Sequence, residues 1–190
     1  MRILVLHLFI LCSCSLSAQI VWEQHFGGTA TEDILHLCAG SDDTFLAVGY
    51  TTSDDIDIIN PKGQADGLMI LMNESGAILW TETVGGSSND QLRSAVQHPS
   101  GEWYVAGISK STDGDIDQGG NNTDQGLLCK FSESGEKLWC KAYGVLEDDE
   151  FYTISLLDED RLLLSGAVDN EDLFTNSTVH SNQDFWLVEM

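Results

Sequence analysis

The stretch IVWEQHFGG, residues 20–28, recurs twice further along the chain. It returns as ILWTETVGG at residues 78–86 and as KLWCKAYGV at residues 137–145. The tryptophans of the three copies lie 58 and 59 residues apart, and a glycine follows each of them five residues later. A fixed period of this length is the signature of a repeat architecture, in which each repeat forms one structural unit.

Two further positions repeat with the same period. A glycine stands 27 residues after each tryptophan, in the apolar runs LAVGYT, YVAGIS and LLSGAV, at Gly49, Gly107 and Gly166. An aspartate opens the last apolar run of each repeat, at Asp66, Asp124 and Asp184. Each repeat contains four short strand-like runs bounded by turn clusters such as GSSND and SESG. Outside residues 1–18, no apolar period typical of a helix extends beyond a few residues.

These patterns predict an all-β fold of four-stranded antiparallel sheets, with about 59 residues per repeat, arranged as the blades of a β-propeller. The repeats occupy residues 19–190, in the order 20–79, 80–138 and a shortened 139–190. The boundaries of the sheets need not coincide with those of the repeats. A right-handed β-solenoid is the alternative fold, although its coils are usually much shorter.

The repeat pattern resembles that of secreted β-propeller proteins common in Bacteroidota, which are associated with type IX secretion. The shared features are the tryptophan, the GG pair, the glycine-containing buried run and an S-x-D-G-D turn. The third repeat departs from the pattern, since Val145 replaces the second glycine and DNED replaces the DGD turn. The resemblance implies a propeller fold and no particular activity.

Alignment of the repeats places Met190 opposite Met72, which precedes the turn NESG and the strand that follows it. The chain therefore amounts to slightly less than three repeats, whereas closed propellers have about four to eight blades. We expect the sequence to be an N-terminal fragment of a longer protein. Assembly of several chains into a ring is the alternative.

Residues 1–18, MRILVLHLFILCSCSLSA, are typical of a secretory signal peptide. Arg2 supplies the positive charge, an apolar run follows, and small residues surround Ala18. The run is shorter than the roughly 20 apolar residues of a membrane-spanning helix. We therefore expect export, a location outside the cell or on its surface, and no membrane span. Lipoprotein processing at Cys14 is an alternative.

The chain is strongly acidic, with 31 Asp and Glu residues, eight Lys and Arg residues and a formal net charge of −23. Such a surface repels the phosphate backbone, so nucleic acid is not an expected partner. With 42% hydrophobic residues, the chain has enough apolar side chains to form a core.

Removal of residues 1–18 leaves three cysteines, an odd number that is too small for a disulfide scaffold. Cys129 and Cys140 flank a hairpin turn. A loop at residues 133–135 pairs residues whose numbers sum to 268, which places these two cysteines on opposite faces of the hairpin. We therefore predict that they are small buried side chains without a disulfide between them.

The sequence contains no motif for nucleophilic catalysis, zinc hydrolysis or phosphate binding. Beyond residue 18, Arg93 and Arg161 are the only arginines, too few for a sialidase-type propeller. A glycosidase would need one pair of carboxylates, and the sequence selects none. We expect no catalytic site and no organic cofactor.

The tryptophans are of two kinds. Trp22, Trp80 and Trp139 hold one position of every repeat, which predicts a packing role between blades. Trp103 and Trp186 lie outside this position, and Trp103 is the better candidate for a ligand contact.

The loop STDGDIDQGGNNTD, residues 111–124, has the carboxylate spacing of a calcium loop, with aspartates at positions 1, 3, 5 and 12. Gln118 stands where such loops have glycine, and the first repeat keeps only SDDID. A solvated acidic turn is therefore the competing interpretation. The candidate calcium ligands are Asp113, Asp115, Asp117 and Asp124.

These observations predict a secreted, non-catalytic β-propeller that binds a glycan or a protein at the cell surface or acts there as a scaffold. A propeller-based carbohydrate-active enzyme and a purely structural repeat array are the alternatives.

Overall fold

The structure, a computed structural model, describes residues 20–144, 148–169 and 184–190. Within these ranges the chain is all-β, and its strands form three antiparallel sheets in chain order. The first sheet contains β1 (Glu32–Ala39), β2 (Thr44–Thr51), β3 (Asp66–Asn73) and β4 (Ile78–Val84). The second contains β5 (Asp90–Gln97), β6 (Trp103–Ser109), β7 (Gln125–Phe131) and β8 (Lys137–Tyr143). The third contains β9 (Glu150–Asp158), β10 (Arg161–Val168) and β11 (Asp184–Glu189).

The predicted all-β class and the antiparallel sheets of four strands are therefore confirmed for the first two repeats. The strand that carries the repeated tryptophan closes a sheet. β4, with Trp80, pairs with β3, and β8, with Trp139, pairs with β7. The first strand of each sheet therefore begins about ten residues after the start of the corresponding sequence repeat.

The sheets pack face to face, because both faces of their middle strands are apolar. The TFLAVGYT strand β2 and the WYVAGIS strand β6 show this pattern, and their central residues are buried. One core lies between the first and second sheets, and it includes Leu46, Val48, Met69, Leu92, Val105 and Leu127. Another lies between the second and third sheets, and it includes Ala106, Leu128, Phe151, Ile154 and Leu164.

The repeated glycine of each middle strand faces a β-bulge in the first strand of its sheet. The bulge brings a main-chain carbonyl oxygen of the first strand so close that a Cβ on the glycine would collide with it. These carbonyl oxygens belong to Asp33, Gln91 and Glu150. The glycine period seen in the sequence thus has a steric cause.

The hairpin between β7 and β8 shows that the cysteine prediction was wrong. Phe131 pairs with Lys137, whose numbers sum to the expected 268, but a bulge at Leu138 then shifts the register by one residue. Cys129 therefore lies directly opposite Cys140, and the two form a disulfide. A bulge adds a residue to one strand only, so a register counted from the turn is wrong beyond it. The hairpin between β3 and β4 has the same register shift.

The aspartate position of the repeats also differs from the sequence alignment. In each sheet, the third strand opens with the residue that pairs with the second residue after the repeated glycine. This residue is Asp66 in the first sheet, Gln125 in the second and Asp184 in the third. Asp124 lies one residue before β7. The loop between β6 and β7 is one residue longer than that between β2 and β3, which accounts for the shift of one residue between Asp124 and the start of β7.

Within the described ranges, no helix has the length and apolar character needed to cross a membrane.

Candidate functional site

The first two carboxylates of the acidic loop bind the main chain that leads into the second sheet. Asp113 Oδ1 accepts a hydrogen bond from the Ser87 N–H at 2.7 Å. Asp115 Oδ2 accepts one from the Gly85 N–H at 3.1 Å and lies 2.8 Å from Lys62 Nζ. The loop between β6 and β7 is thereby attached to the connection between β4 and β5.

The third carboxylate points to a different strand. Asp117 Oδ2 accepts a hydrogen bond from the Cys140 N–H at 2.8 Å, and Oδ1 lies 3.3 Å from Lys137 Nζ. The hydrogen bond from Cys140 lowers the pKa of Asp117, and the Lys137 ammonium lowers it further. Asp117 thus attaches the loop to β8 of its own sheet.

Asp124 lies apart from these three contacts. Its Oδ2 is 3.1 Å from Lys110 Nζ, and its N–H donates to Asp148 at 3.0 Å. Its Oδ1 is buried and has no hydrogen-bond partner among the described residues.

The four candidate calcium ligands therefore contact three parts of the molecule: Asp113 and Asp115 bind the connection between β4 and β5, Asp117 binds β8, and Asp124 contacts Lys110 and Asp148. Among residues 20–144, 148–169 and 184–190, no three His, Cys, Asp or Glu side chains are grouped as a metal would require. Lys137 Nζ lies within 4 Å of both Asp115 and Asp117, at 3.7 and 3.3 Å, and supplies positive charge there. Calcium binding by this loop stays a prediction.

The contacts of Asp113 and Asp115 recur in the first repeat. Asp55 Oδ1 accepts a hydrogen bond from the Thr29 N–H at 2.8 Å, and Asp57 Oδ2 accepts one from the Gly27 N–H at 3.3 Å. We call this arrangement the carboxylate clasp; it consists of Asp55 and Asp57 in the first repeat and Asp113 and Asp115 in the second. The SDDID and STDGDID turns differ in sequence, yet they perform the same attachment.

A second set of acids was not predicted from the sequence. Asp90, at the start of β5, is buried and accepts hydrogen bonds from the Gly86 N–H at 2.8 Å and the Ser111 hydroxyl at 2.7 Å. Glu32, at the start of β1, accepts one from the Gly28 N–H at 3.1 Å. The 58-residue spacing between Glu32 and Asp90 was the signal by which the sequence could have identified them, although the two residues differ in type.

Asp66 is buried and has one carboxylate oxygen without a partner. Its Oδ2 accepts hydrogen bonds from the N–H groups of Lys62 and Gly63 at 2.7 and 3.2 Å, whereas Oδ1 has none among the described residues. Burial raises the pKa of Asp66, and the nearby Asp90 carboxylate raises it as well.

The bulge in each first strand projects one side chain from an equivalent position. These side chains form what we call the bulge row, which consists of Leu35, Arg93 and Tyr152. The Arg93 guanidinium carbon lies 5.0 Å from the centroid of the Tyr152 ring, and NH1 lies 2.9 Å from Glu150 Oε2. The row combines an aromatic ring with a cation that donates several hydrogen bonds.

Two of the repeated tryptophans contact hairpin turns, and Trp103 differs from its prediction. Trp22 Nε1 donates to the Glu74 carbonyl oxygen at 2.9 Å, and Trp80 Nε1 donates to that of Glu133 at 3.2 Å. Packing between neighbouring sheets is thus confirmed for Trp80, which lies on β4 and also packs against the core between the first and second sheets. Trp103 is 0% exposed and belongs to the core between the first and second sheets, so the proposed ligand contact at Trp103 was wrong.

A cleft of about 290 Å³ lies between the second and third sheets. Aromatic and cationic side chains are both among its lining residues. These residues include Tyr104, Trp139, Tyr143, Lys141, Arg161 and Met190.

Comparison with known proteins adds no family to this geometry. No family model matches the chain, and no curated protein matches it either. The function of the chain is therefore inferred from the residues described above.

Proposed function

We propose that this protein is a secreted, non-catalytic β-propeller repeat protein that binds a glycan at the cell surface and acts there as a scaffold. The observation that carries the proposal is the carboxylate clasp. Its aspartates are the most conspicuous acidic motif of the chain, and each is engaged in attaching the loop between the second and third strands of a sheet to the segment that leads into that sheet. These aspartates therefore have a structural role.

The propeller architecture is supported by how the sheets succeed one another. Each sheet is a simple up-and-down arrangement of consecutive strands, and neighbouring sheets pack face to face. The first strands of successive sheets contact each other, β1 with β5 and β5 with β9. First strands that meet along one line are expected when sheets radiate from a common axis.

Export is supported by two features. Residues 1–18 have the charge and apolar pattern of a signal peptide. The disulfide between Cys129 and Cys140 is typical of proteins that fold in an oxidising compartment. The resemblance of the repeats to secreted propeller proteins agrees with both.

A structural role for the buried acids supports the non-catalytic part of the proposal. Asp90 accepts hydrogen bonds from the Gly86 N–H and the Ser111 hydroxyl. Asp66 accepts two hydrogen bonds from the main chain. Both residues are almost completely enclosed. A catalytic carboxylate must instead reach a substrate.

The bulge row is the surface that we assign to the ligand. Tyr152 and Leu35 are exposed, and Arg93 is accessible at its side chain. An aromatic ring beside a guanidinium offers a sugar both a flat apolar surface and hydrogen-bond donors.

A glycan array probed with the purified protein tests the proposal. We expect binding by the wild type, loss of at least tenfold in affinity for Tyr152→Ala and Arg93→Ala, and no change for Arg161→Ala. Arg161 is a matched control because it is an exposed arginine of the hairpin between β9 and β10. Glycan binding that survives both bulge-row substitutions would show that the bulge row is not the binding surface. The absence of any glycan binding would favour a purely structural array.

A further inference from the structure

The Glu150 carboxylate lies beside two members of the bulge row, where the second and third sheets meet. Arg93 Nη1, on β5, donates a hydrogen bond at 2.9 Å to Glu150 Oε2, on β9. The side chains of the two residues are 23% and 17% exposed, so solvent still reaches the ion pair. A guanidinium has five N–H donors, and the bond to Glu150 leaves further donors for a ligand.

Tyr152 completes the group that we call the charge-paired site, which consists of Arg93, Glu150 and Tyr152. The guanidinium carbon of Arg93 lies 5.0 Å from the centroid of the Tyr152 ring. Burial raises the pKa of Tyr152, and a hydrogen bond to the Glu150 carboxylate raises it as well. Since an ordinary tyrosine already has a pKa of about 10, the hydroxyl keeps its proton at neutral pH. The site therefore combines one positive charge, one negative charge and a neutral aromatic ring.

The charge-paired site does not recur at the junction of the first and second sheets. The equivalent positions there are Leu35, Gln91 and Arg93. Gln91 corresponds to Glu150, because the main-chain carbonyl oxygen of each faces the repeated glycine of its own sheet. A neutral side chain at this position thus forms the same bulge and the same junction. The repeat architecture therefore does not require the carboxylate of Glu150.

The chemistry of the charge-paired site suits a neutral sugar. Two neighbouring hydroxyl groups of one sugar ring can accept a hydrogen bond from Arg93 and donate one to Glu150 at the same time. The apolar face of the sugar can lie against the Tyr152 ring. Both charges of the ion pair then stay compensated, and each gains a polar partner.

A sugar that carries a carboxylate meets the opposite situation. To bind the guanidinium it must displace Glu150, and it then brings a second negative charge close to the first. The chain as a whole has a formal net charge of −23, which repels anionic ligands over a longer range. Without the carboxylate of Glu150, by contrast, Arg93 would be an unpaired guanidinium, a group that binds carboxylates well.

We propose that Glu150 determines the ligand specificity of the bulge row, because its pairing with Arg93 admits neutral glycans and disfavours glycans that carry carboxylates. This inference rests on the proposed function, since it names the class of glycan that the bulge row binds. It makes Glu150 a specificity-determining residue rather than a structural one.

Glycan binding by the wild type and by Glu150→Gln tests the proposal. Glutamine is the residue that the second sheet has at the equivalent position, Gln91, so the substitution is compatible with the bulge. The array carries neutral oligosaccharides beside matched uronic acids, in which a carboxylate replaces each hydroxymethyl group. One such pair is β-linked mannohexaose and β-linked hexamannuronate.

We expect the wild type to prefer the neutral member of the pairs by about tenfold or more. In Glu150→Gln the affinity for the uronic acids should rise by about tenfold, and that for the neutral glycans should fall. The new binding of uronic acids should weaken as salt is added, because salt screens the attraction between Arg93 and the ligand. A loss of folding alone would lower both affinities and could not reverse the preference.

Glu102→Gln is the matched control. Glu102 Oε1 lies 2.9 Å from Lys130 Nζ, so this variant removes the carboxylate of an equally close ion pair that includes no member of the bulge row. It changes the net charge by the same amount as Glu150→Gln and should keep the wild-type preference.

Tighter binding of the uronic acids by the wild type would overturn the inference, as would an unchanged preference in Glu150→Gln. An equal shift in Glu102→Gln would overturn it as well, since net charge rather than Glu150 would then set the preference. All three outcomes leave glycan binding intact. The absence of glycan binding by the wild type and both variants would instead overturn the proposed function together with this inference, so the two failures are distinguishable.

Discussion

The indole Nε1 of Trp80 donates a hydrogen bond to the main-chain carbonyl oxygen of Glu133, which lies 53 residues further along the chain, at 3.2 Å. The same ring lies against Gly135, where an added Cβ would stand 2.9 Å from its nearest ring carbon. Trp22 has the equivalent contacts with Glu74 and Gly76. The repeated tryptophan thus binds the last hairpin turn of the following sheet.

Gly135→Ala should therefore destabilise the fold more than Gly101→Ala. Both glycines have positive φ, +86° and +94°, so both substitutions incur similar backbone strain. A Cβ at Gly135 additionally meets the Trp80 ring, whereas one at Gly101 meets only the flexible side chain of Glu133. We expect an additional loss of about 1–3 kcal/mol, measured by urea unfolding. Equal losses would mean that the tryptophan contact contributes nothing.

Asp66→Asn should stabilise the protein at neutral pH. Burial raises the pKa of Asp66, so the folded state disfavours the ionised form, and stability from this group falls as pH rises through the carboxyl range. Asparagine keeps an oxygen for the Lys62 and Gly63 N–H groups, and the second sheet has neutral Gln125 at the same register position.

Melting temperatures of the wild type and Asp66→Asn at pH 7 and at about pH 3 measure this effect. The advantage of the variant should disappear at the lower pH, where the wild-type carboxyl is neutral. An Asp66→Asn variant less stable than the wild type at pH 7 would contradict the assignment.

Asp117→Asn should have the opposite effect. The hydrogen bond from the Cys140 N–H and the Lys137 ammonium lower the pKa of Asp117, so its contribution is present above the unfolded-state pKa. That contribution is lost as pH falls through the folded-state pKa. The variant should melt below the wild type at pH 7, and the two curves should converge on acidification. A difference that does not depend on pH would show that the carboxylate charge is not involved.

Reduction of the disulfide should lower stability. Cys129 and Cys140 are 11 residues apart in sequence, and closing a loop of this size restricts the unfolded chain by about 3 kcal/mol. We expect the double variant Cys129→Ala, Cys140→Ala to lose a comparable amount and to become insensitive to dithiothreitol. Cys38→Ala should stay sensitive, because Cys38 is a free thiol. An unchanged wild-type melting temperature after verified reduction would contradict this expectation.

Asp115→Asn distinguishes the carboxylate clasp from a calcium site. Asp115 accepts the Gly85 N–H and pairs with Lys62, so its neutralisation should cost about 1–3 kcal/mol in chelator and in millimolar calcium alike. Differential scanning fluorimetry under both conditions gives the answer. A calcium-dependent rise in the wild-type melting temperature that Asp115→Asn abolishes would establish the calcium loop instead.

The sequence predicted the elements of the fold because each depends on local patterns. Alternating and apolar runs between turn clusters located the strands, and the tryptophan period predicted that neighbouring units pack together. Trp103 was misjudged because it lies outside the repeated position. Its place in the core depends on how the first two sheets face each other, which no local pattern encodes.

The candidate site was less predictable. The spacing of Asp113, Asp115 and Asp117 was visible in the sequence, but their hydrogen-bond donors are Ser87, Gly85 and Cys140, which are distant in the chain. The bulge row could not be found either, because a bulge is apparent only from the pairing of two strands.

What the sequence determined by itself is therefore the repeat: its length, its strands, its tryptophan and its close-packed glycine. Only the tertiary structure decided the pairing of Cys129 with Cys140, the exchange of Asp124 for Gln125 at the start of the third strand, and the partners of the clasp. The physical reason is that strand periodicity has a local origin, whereas a single inserted residue in a bulge or loop changes every pairing beyond it.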